Sequence, residues 1–472
     1  MSTDFISRVI ENVREDYIRI ADNIWGYSEL GYTEQKSARE HAEALEKAGF
    51  SVQLGVAGIP TAIVAEAGSG SPVIGFLGEY DALANLNQVS MSETKDSLNA
   101  ADNDNGHGCG HHLLGTAAHL AAVAAKKFLE ENNLPGTVRF YGCPAEEDGN
   151  GKTFMVREGL FDDVDSAITW HPMVFNGVWA DTALARKQIE VRFKGVATHA
   201  GASPHLGRSA LDALELMNIG VNFLREHIID DARVHYAITD AGGAAANVVQ
   251  ATAAGTYMMR GPDNDIVEDL FERVINIARG AALMTDCEME FEVVTACSNL
   301  IRNETLLKLM QRNLESIGVP DYTNEELSYA ETMYQTTTKA ERAAATKFAR
   351  GETPNSAPLF RGIVPLYLDD RIMHGSTDVG DVSYVTPTVQ CMTACYAFGT
   401  SPHSWQWVAQ GKTSYAHKGM LLAAKTMAAT AADMFTDPSL VDAARQEFLN
   451  DRRPLPYKSP LPADLPPPIP AE

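Results

Sequence analysis

The apolar positions of residues 5–25 recur every three or four places, at Ile6, Ile10, Tyr17, Ile20 and Ile24, which predicts an amphipathic helix. A second helix is expected over roughly 34–48, stopped by Gly49. The period then changes. TAIVAE at 61–66, VIGFLG at 73–78, VRFYGC at 138–143 and SAITW at 166–170 are short, β-rich runs. Between the second and third of them, an Ala- and Leu-rich helix is predicted from about His111 to Asn132. Near-continuous apolar strands separated by helices imply a buried, largely parallel sheet.

The pattern shifts near residue 184. Up to about 299 it predicts a strand (KQIEVRFKG), a helix (SALDALELMNIGVNFLREHI), two strands around Ala245–Arg260, a helix (DIVEDLFERVINIARGAAL) and a strand (MEFEVVTA). A β-α-β-β-α-β order makes a four-stranded antiparallel sheet with two helices on one face, so this stretch is expected to be an inserted α+β domain. Residues 300–350 look helical, and a final helix is expected over 413–436. The predicted class is α/β: a mostly parallel mixed sheet flanked by helices, formed by 1–183 and 300–472, interrupted by the insertion at 184–299. Residues 451–472 form a proline-rich tail, extended on the surface or loose.

A chain of 472 residues exceeds what one core usually supports, in keeping with two domains. The 38 Lys and Arg stand against 62 Asp and Glu, a formal net charge of -24, which argues against nucleic acid and anionic membranes as partners. An anionic small molecule stays open, since a few buried arginines can dominate locally. Cys109, Cys143, Cys287, Cys297, Cys391 and Cys395 are dispersed rather than arranged as a disulfide framework. With no signal-like start and no long apolar run, this predicts a cytoplasmic protein.

The densest chemistry is GHGCGHHLLG at 106–115, where Cys109 and His111 flank Gly110 directly before the long helix. Metal sites need such donors on a rigid turn, and a helix start is expected to lower the thiol pKa. Alone, the motif is also compatible with a helix-capping loop. CPAEEDGNGK at 143–152 follows a strand and sets Glu146 beside Glu147. Adjacent carboxylates repel unless cations are near, so one can bind metal while the other acts as a general base. Alone, it reads equally as a solvated acidic turn. His171, in TWHPM, ends a third strand. These motifs from separate strand ends supply several candidate donors on one edge of the sheet, where open α/β sheets place their sites.

VIGFLGEYDAL at 73–83, CGHH, PAEEDG, TWHP, THAGASPH and GSTDVGDVS together resemble the aminoacylase and glutamate-carboxypeptidase family of two-metal amidohydrolases, in the branch of hippurate and auxin-conjugate hydrolases. GHGCGHH, SPHLGRSALDA, HSWQ and AHKGM resemble most its aminobenzoyl-glutamate utilization subgroup, and the likeness runs from about residue 5 to 437. The resemblance implies two divalent metal ions, Mn or Zn, held by Cys109, His111, Glu147, His171 and His403. It implies Glu146 as the general base, which takes a proton from the attacking water and passes it to the leaving nitrogen. It places Asp81 and His112 behind the ligands, although His112 stands where the hippurate branch usually has Asp. In the insertion, which would serve as lid and dimerisation domain, it implies that His199 helps hold the oxyanion while Asn247 and Arg260 grip the substrate carboxylate. Arg208 is a candidate second cation for an acidic side chain. His107, His119, His205, His374 and His417 match no ligand, and residues 321–360 look like an insertion beside the entrance.

The expected reaction is therefore metal-dependent hydrolysis of an N-aroyl or N-acyl amino acid, p-aminobenzoyl-glutamate or similar. Alternatives keep the site and change the substrate to an indole-acetyl amino acid, an N-acetyl amino acid, a dipeptide or an aromatic amine. A different class of alternative is a non-catalytic or partner-dependent subunit. The expected assembly is a homodimer, or a pair formed with a homologous chain.

Overall fold

The computed structural model describes residues 2–97, 103–354, 358–451 and 456–470. Helix α1 (Ser2–Tyr27) buries Ile6, Ile10, Tyr17, Ile20 and Ile24, the stripe its periodicity requires, and α2 (Gln35–Lys47) follows. Then come β1 (Ser51–Leu54), β2 (Ile63–Ser69), β3 (Val73–Glu79), the long helix α3 (His111–Asn132), β4 (Gly136–Cys143), α4 (Gly151–Arg157), β5 (Ser166–Met173) and the short β6 (Gly177–Val178) and β7 (Thr182–Ala183). The chain next forms β8 (Ala185–Lys194), α5 (Ala210–Leu224), β9 (Arg233–Asp240), β10 (Thr252–Gly261), α6 (Asn264–Thr285) and β11 (Glu288–Cys297). It returns through α7 (Glu304–Ile317), α8 (Asn324–Gln335), α9 (Lys339–Phe348), β12 (Ile372–Met373), α10 (Val379–Val385), β13 (Thr388–Ala394), α11 (Trp405–Gln410), α12 (Ser414–Thr436) and α13 (Pro438–Asp451).

The main sheet has seven strands in the order β1-β2-β4-β3-β5-β13-β6. Its four inner strands, β4, β3, β5 and β13, are mutually parallel, and β2 and β6 run antiparallel to the inner strands they flank. The inner strands carry few charges because helices cover them; α3 is buried along nearly its whole length beneath β3 and packs on α1 and α12. All four inner strands end on the same edge, and that edge receives every strong motif.

The second sheet is fully antiparallel in the order β11-β8-β10-β9. Ile189, Val191 and Phe193 of β8 alternate onto α5 and α6 and share a separate core with Leu214, Met217, Tyr257 and Val274. Gln188, Glu190, Arg192 and Lys194 point to the opposite face. One sequence expectation is corrected here. The two middle strands are not both near 245–260: β9 lies earlier, at Arg233–Asp240, and 241–251 connects it to β10. Gly242 and Gly243, both at positive φ, break the extended backbone there.

The proline-rich tail packs on the surface in its described part. Leu461 is buried, and Arg157 Nη1 donates to the carbonyls of Pro462 and Leu465. Among the described residues, no helix is long and apolar enough to cross a membrane.

Candidate metal centre

Each inner strand delivers part of the site. From β3 come Glu79 and Asp81, from the loop after β4 come Glu146 and Glu147, from β5 comes His171, and beyond β13 comes His403. Cys109 and His111 sit at the start of α3. Gly110 precedes that helix with φ +83°, and a Cβ there would lie 2.4 Å from the Tyr396 hydroxyl, so only glycine fits the turn between them.

Two overlapping sets of side chains share Cys109, and a third, of Glu79, His111 and Glu146, adjoins them through His111. Donor atoms of Cys109, His111 and His171 lie within 4.8 Å of one another, as do those of Cys109, Glu147 and His403. Cys109 belongs to both, with its Sγ 3.4 Å from His171 Nε2. His403 Nε2 is 3.3 Å from Glu147 Oε1. The two sets hold five of the sequence-derived candidates, and a thiol shared by two donor pairs suits a pair of neighbouring cations.

The fit to metal ions can be tested on the buried polar atoms. His111 Nε2 and Glu147 Oε1 are buried without a well-aligned hydrogen bond, each meeting only a longer contact, to Glu79 at 3.2 Å and to His403 at 3.3 Å. His111 Nδ1 meets Asp81 Oδ1 at 2.7 Å, which fixes the ring and leaves Nε2 facing the cluster. Asp81 also accepts from the Glu147 backbone N–H at 3.0 Å through its other oxygen. Asp81 thus acts on the donors from behind. Thiol, imidazole and carboxylate donors with buried, weakly partnered atoms fit divalent ions of the Zn or Mn type.

The thiol departs from expectation. The helix start was expected to lower the Cys109 pKa, but burial raises it and the Glu147 charge raises it further, outweighing the pull of His111 and His403. A thiolate here needs a cation beside it. The two adjacent carboxylates are driven apart. Burial, with the charges of Glu79, Glu147 and Asp378, pushes Glu146 up to about 8. Burial also works to raise Glu147, but hydrogen bonding to His403 and the charge of His111 bring it down to about 2. Two neighbouring carboxyls with opposed proton affinity suit one proton carrier and one ligand.

Behind the cluster stand residues that sequence reasoning missed. Glu79 Oε2 is 3.2 Å from His111 Nε2, and its other oxygen meets the buried Lys152 Nζ at 2.5 Å. Lys152 also reaches Asp378 at 2.6 Å. The signal for Glu79 was its place two residues before Asp81 at a strand end, which puts both on one side.

The remaining candidates are placed differently. His112 turns to the Gly411 carbonyl at 2.9 Å, and His107 to that of Ile24 at 3.0 Å. His119 joins Tyr17 and His41 within the core, and His417 pairs with Asp22. His199 is exposed on the insertion, its Nδ1 accepting from the N–H groups of Gly201 and Ala202. Asn247 is exposed on the strand-like turn beside it, where its carbonyl accepts from Ala200. Arg208 pairs with Asp286 at 2.7 Å at the surface. Arg260 is partly buried and donates to Ser376 Oγ at 2.7 Å. His199, Asn247 and Arg208 are thus not brought to the metal cluster within one chain.

The model of peptidase family M20/M25/M40 matches residues 76–357. This chain belongs to that family. It is a hydrolase, and it is 49% identical over 473 residues to one subunit of the p-aminobenzoyl-glutamate hydrolase of Escherichia coli (strain K12), covering 98% of each chain. It is 28% identical to a different subunit of the same organism's hydrolase, over 58% of this chain and 72% of that one. An aminobenzoyl-glutamate utilization protein from Klebsiella pneumoniae has the same fold, with a TM-score of 0.61 at 18% identity, covering 92% of this chain and 98% of that one. The α/β class with its mixed sheet and separate four-stranded sheet agrees with expectation.

Proposed function

We propose that this member of the family hydrolyses the amide bond of an N-aroyl amino acid, with p-aminobenzoyl-glutamate as the leading substrate. The observation that carries the reading is the buried cluster in which Cys109 is shared by two donor sets beside a Glu146 of raised pKa. The substrate class is drawn from the relative of 49% identity. Cys109, His111, Glu147, His171 and His403 would hold two divalent ions, Mn or Zn. When bound, such ions polarise a scissile carbonyl and lower the pKa of water toward about 7. Glu146 takes the proton of the attacking water, which its raised pKa favours, and passes it to the leaving nitrogen. Asp81 keeps the His111 ring oriented throughout.

In this reading 1–183 and 300–472 form the catalytic domain and 184–299 the lid and dimerisation domain. His199 and Asn247 then act by lid movement or from a neighbouring protomer, His199 on the oxyanion and Asn247 on the substrate carboxylate. The assembly is a homodimer or a pair with a homologous chain, as the names of the two Escherichia coli relatives suggest. The six cysteines are free, which suits a reducing cytoplasm.

The experiment is hydrolysis of p-aminobenzoyl-glutamate, hippurate, indole-acetyl-aspartate, an N-acetyl amino acid and a dipeptide by protein stripped of metal and then given Mn or Zn. Metal-restored cleavage of the first is the expected result. Failure to cleave any of them, with metals bound and no other chain present, would point to an obligatory partner chain.

A further inference from the structure

Strand pairing sets Arg186 of β8 directly opposite Arg260 of β10, so both side chains leave the same face of the second sheet. That is the face turned away from α5 and α6. Like charges in this position destabilise a sheet; Arg186 is only 9% exposed and Arg260 is partly buried. Arg186 lies at the metal centre's edge. Its Nη2 donates to Asn150 Oδ1 at 2.6 Å and approaches the Glu147 carbonyl at 3.5 Å, in the loop that bears Glu146. Its Nε is buried and has no partner. Burial lowers the Arg260 pKa, and Arg186 lowers it further. Among the described residues, neither guanidinium has a carboxylate within ion-pair distance; Asp148 only feels the Arg186 charge from further away. The third arginine of the row, Arg233 opposite Arg260, is engaged with the carbonyls of Asp230 and Ala232. Two opposed cations, one buried and one partly buried, without an anion in a chain of net charge -24, describe a receptor rather than a structural pair.

With Arg260 as the α-carboxylate contact that the family resemblance implies, we infer that Arg186 adds a second subsite, which holds the side-chain carboxylate and selects conjugates of an acidic amino acid. The planar guanidinium forks suit such anions, and each bound carboxylate relieves the repulsion between them. Arg186 would thereby take the task the sequence had offered to Arg208, which is occupied by Asp286. The inference rests on the amidohydrolase reading for the placement of the substrate but concerns recognition alone.

The test compares p-aminobenzoyl-glutamate with p-aminobenzoyl-glutamine, which differ only in side-chain charge. Binding is read by calorimetry on metal-loaded protein carrying Glu146→Gln, and turnover on the unaltered protein. The glutamate conjugate should bind at least about tenfold more tightly, a preference that shrinks with salt. Adding Arg186→Gln should bring the ratio near one, Arg186→Lys should leave it intermediate, and Arg260→Gln should weaken both conjugates alike. Equal binding before any arginine is changed, absence of binding, or a ratio that survives Arg186→Gln would each overturn the subsite. A structural role for Arg186 would weaken both ligands equally and leave the ratio intact. Discrimination in binding with no turnover of either conjugate would keep the subsite and sink the reading that this chain alone hydrolyses these conjugates.

Discussion

The two sheets handle buried charge in opposite ways. At the carboxyl edge of the parallel strands, Glu79 lies between His111 and Lys152, and Lys152 also meets Asp378. That charge is largely compensated within the chain, and Cys109, His111 and Glu147 beside it are donors for cations. On the open face of the antiparallel sheet, Arg186 and Arg260 oppose each other with no anion between them. The first region is built to hold metal permanently, the second to wait for a ligand. A buried charge with its partner supplied is architecture; one without it points to what binds.

The largest effect should come from the shared thiol. Cys109→Ala removes a donor from both sets, so both ions and all activity should be lost, whereas His171→Ala should retain metal at the Glu147–His403 side. Elemental analysis decides it; loss of one ion only in Cys109→Ala would refute the sharing. Glu146→Gln should lower kcat by about 10²- to 10⁴-fold with both ions still bound. Lys152→Met strands two buried carboxylates, and urea denaturation should show a loss of about 3–5 kcal/mol. The same measurement on Arg260→Met, without ligand, should change stability by less than about 1 kcal/mol, since it also removes a like-charge opposition. Equal losses from the two substitutions would erase the contrast drawn above.

A smaller effect concerns acid. His41 Nδ1 faces His119 Nδ1 at 3.2 Å in the core. Burial lowers the His41 pKa to about 3, and burial with the His41 charge lowers that of His119 well below its usual value. Unfolded, both titrate near 6.5. Between about 6.5 and 3 the unfolded chain therefore holds protons that the folded one refuses. Stability should be full above that window and fall through it, by up to about 1.4 kcal/mol per pH unit for each ring. His119→Leu should flatten the slope measured by denaturation at several pH values.

Much of this was legible in the sequence because residue type and strand ends coincide. Cys109, His111, Glu147 and His171 each lie at a boundary where an apolar run stops, and His403 came from the resemblance alone. Glu79, Lys152 and Asp378 were hidden, since a single charge in GEYD or GNGK reads as solvated until folding buries it beside its partner. The Cys109 thiol was misjudged because a helix start is visible in sequence and desolvation is not. Strand β9 was misplaced because VHYAIT alternates weakly while most of its residues stay exposed. His199 and Asn247 match by motif, yet where the second sheet carries them relative to the cluster is a matter of tertiary placement that no local pattern encodes.

The chain enters the second sheet at Ala185 and leaves it at Cys297, and Cys297 is the ladder neighbour of the next residue in, Arg186. Their Cα atoms are therefore about 5 Å apart. For the rest of the polypeptide, the whole insertion, once folded, spans no more than a hairpin turn would. Joining β7 to α7 then carries the entropy of a short loop rather than a long one. The seven-stranded sheet, whose last inner strand β13 arrives late in the chain, can close as though the insertion had never been there.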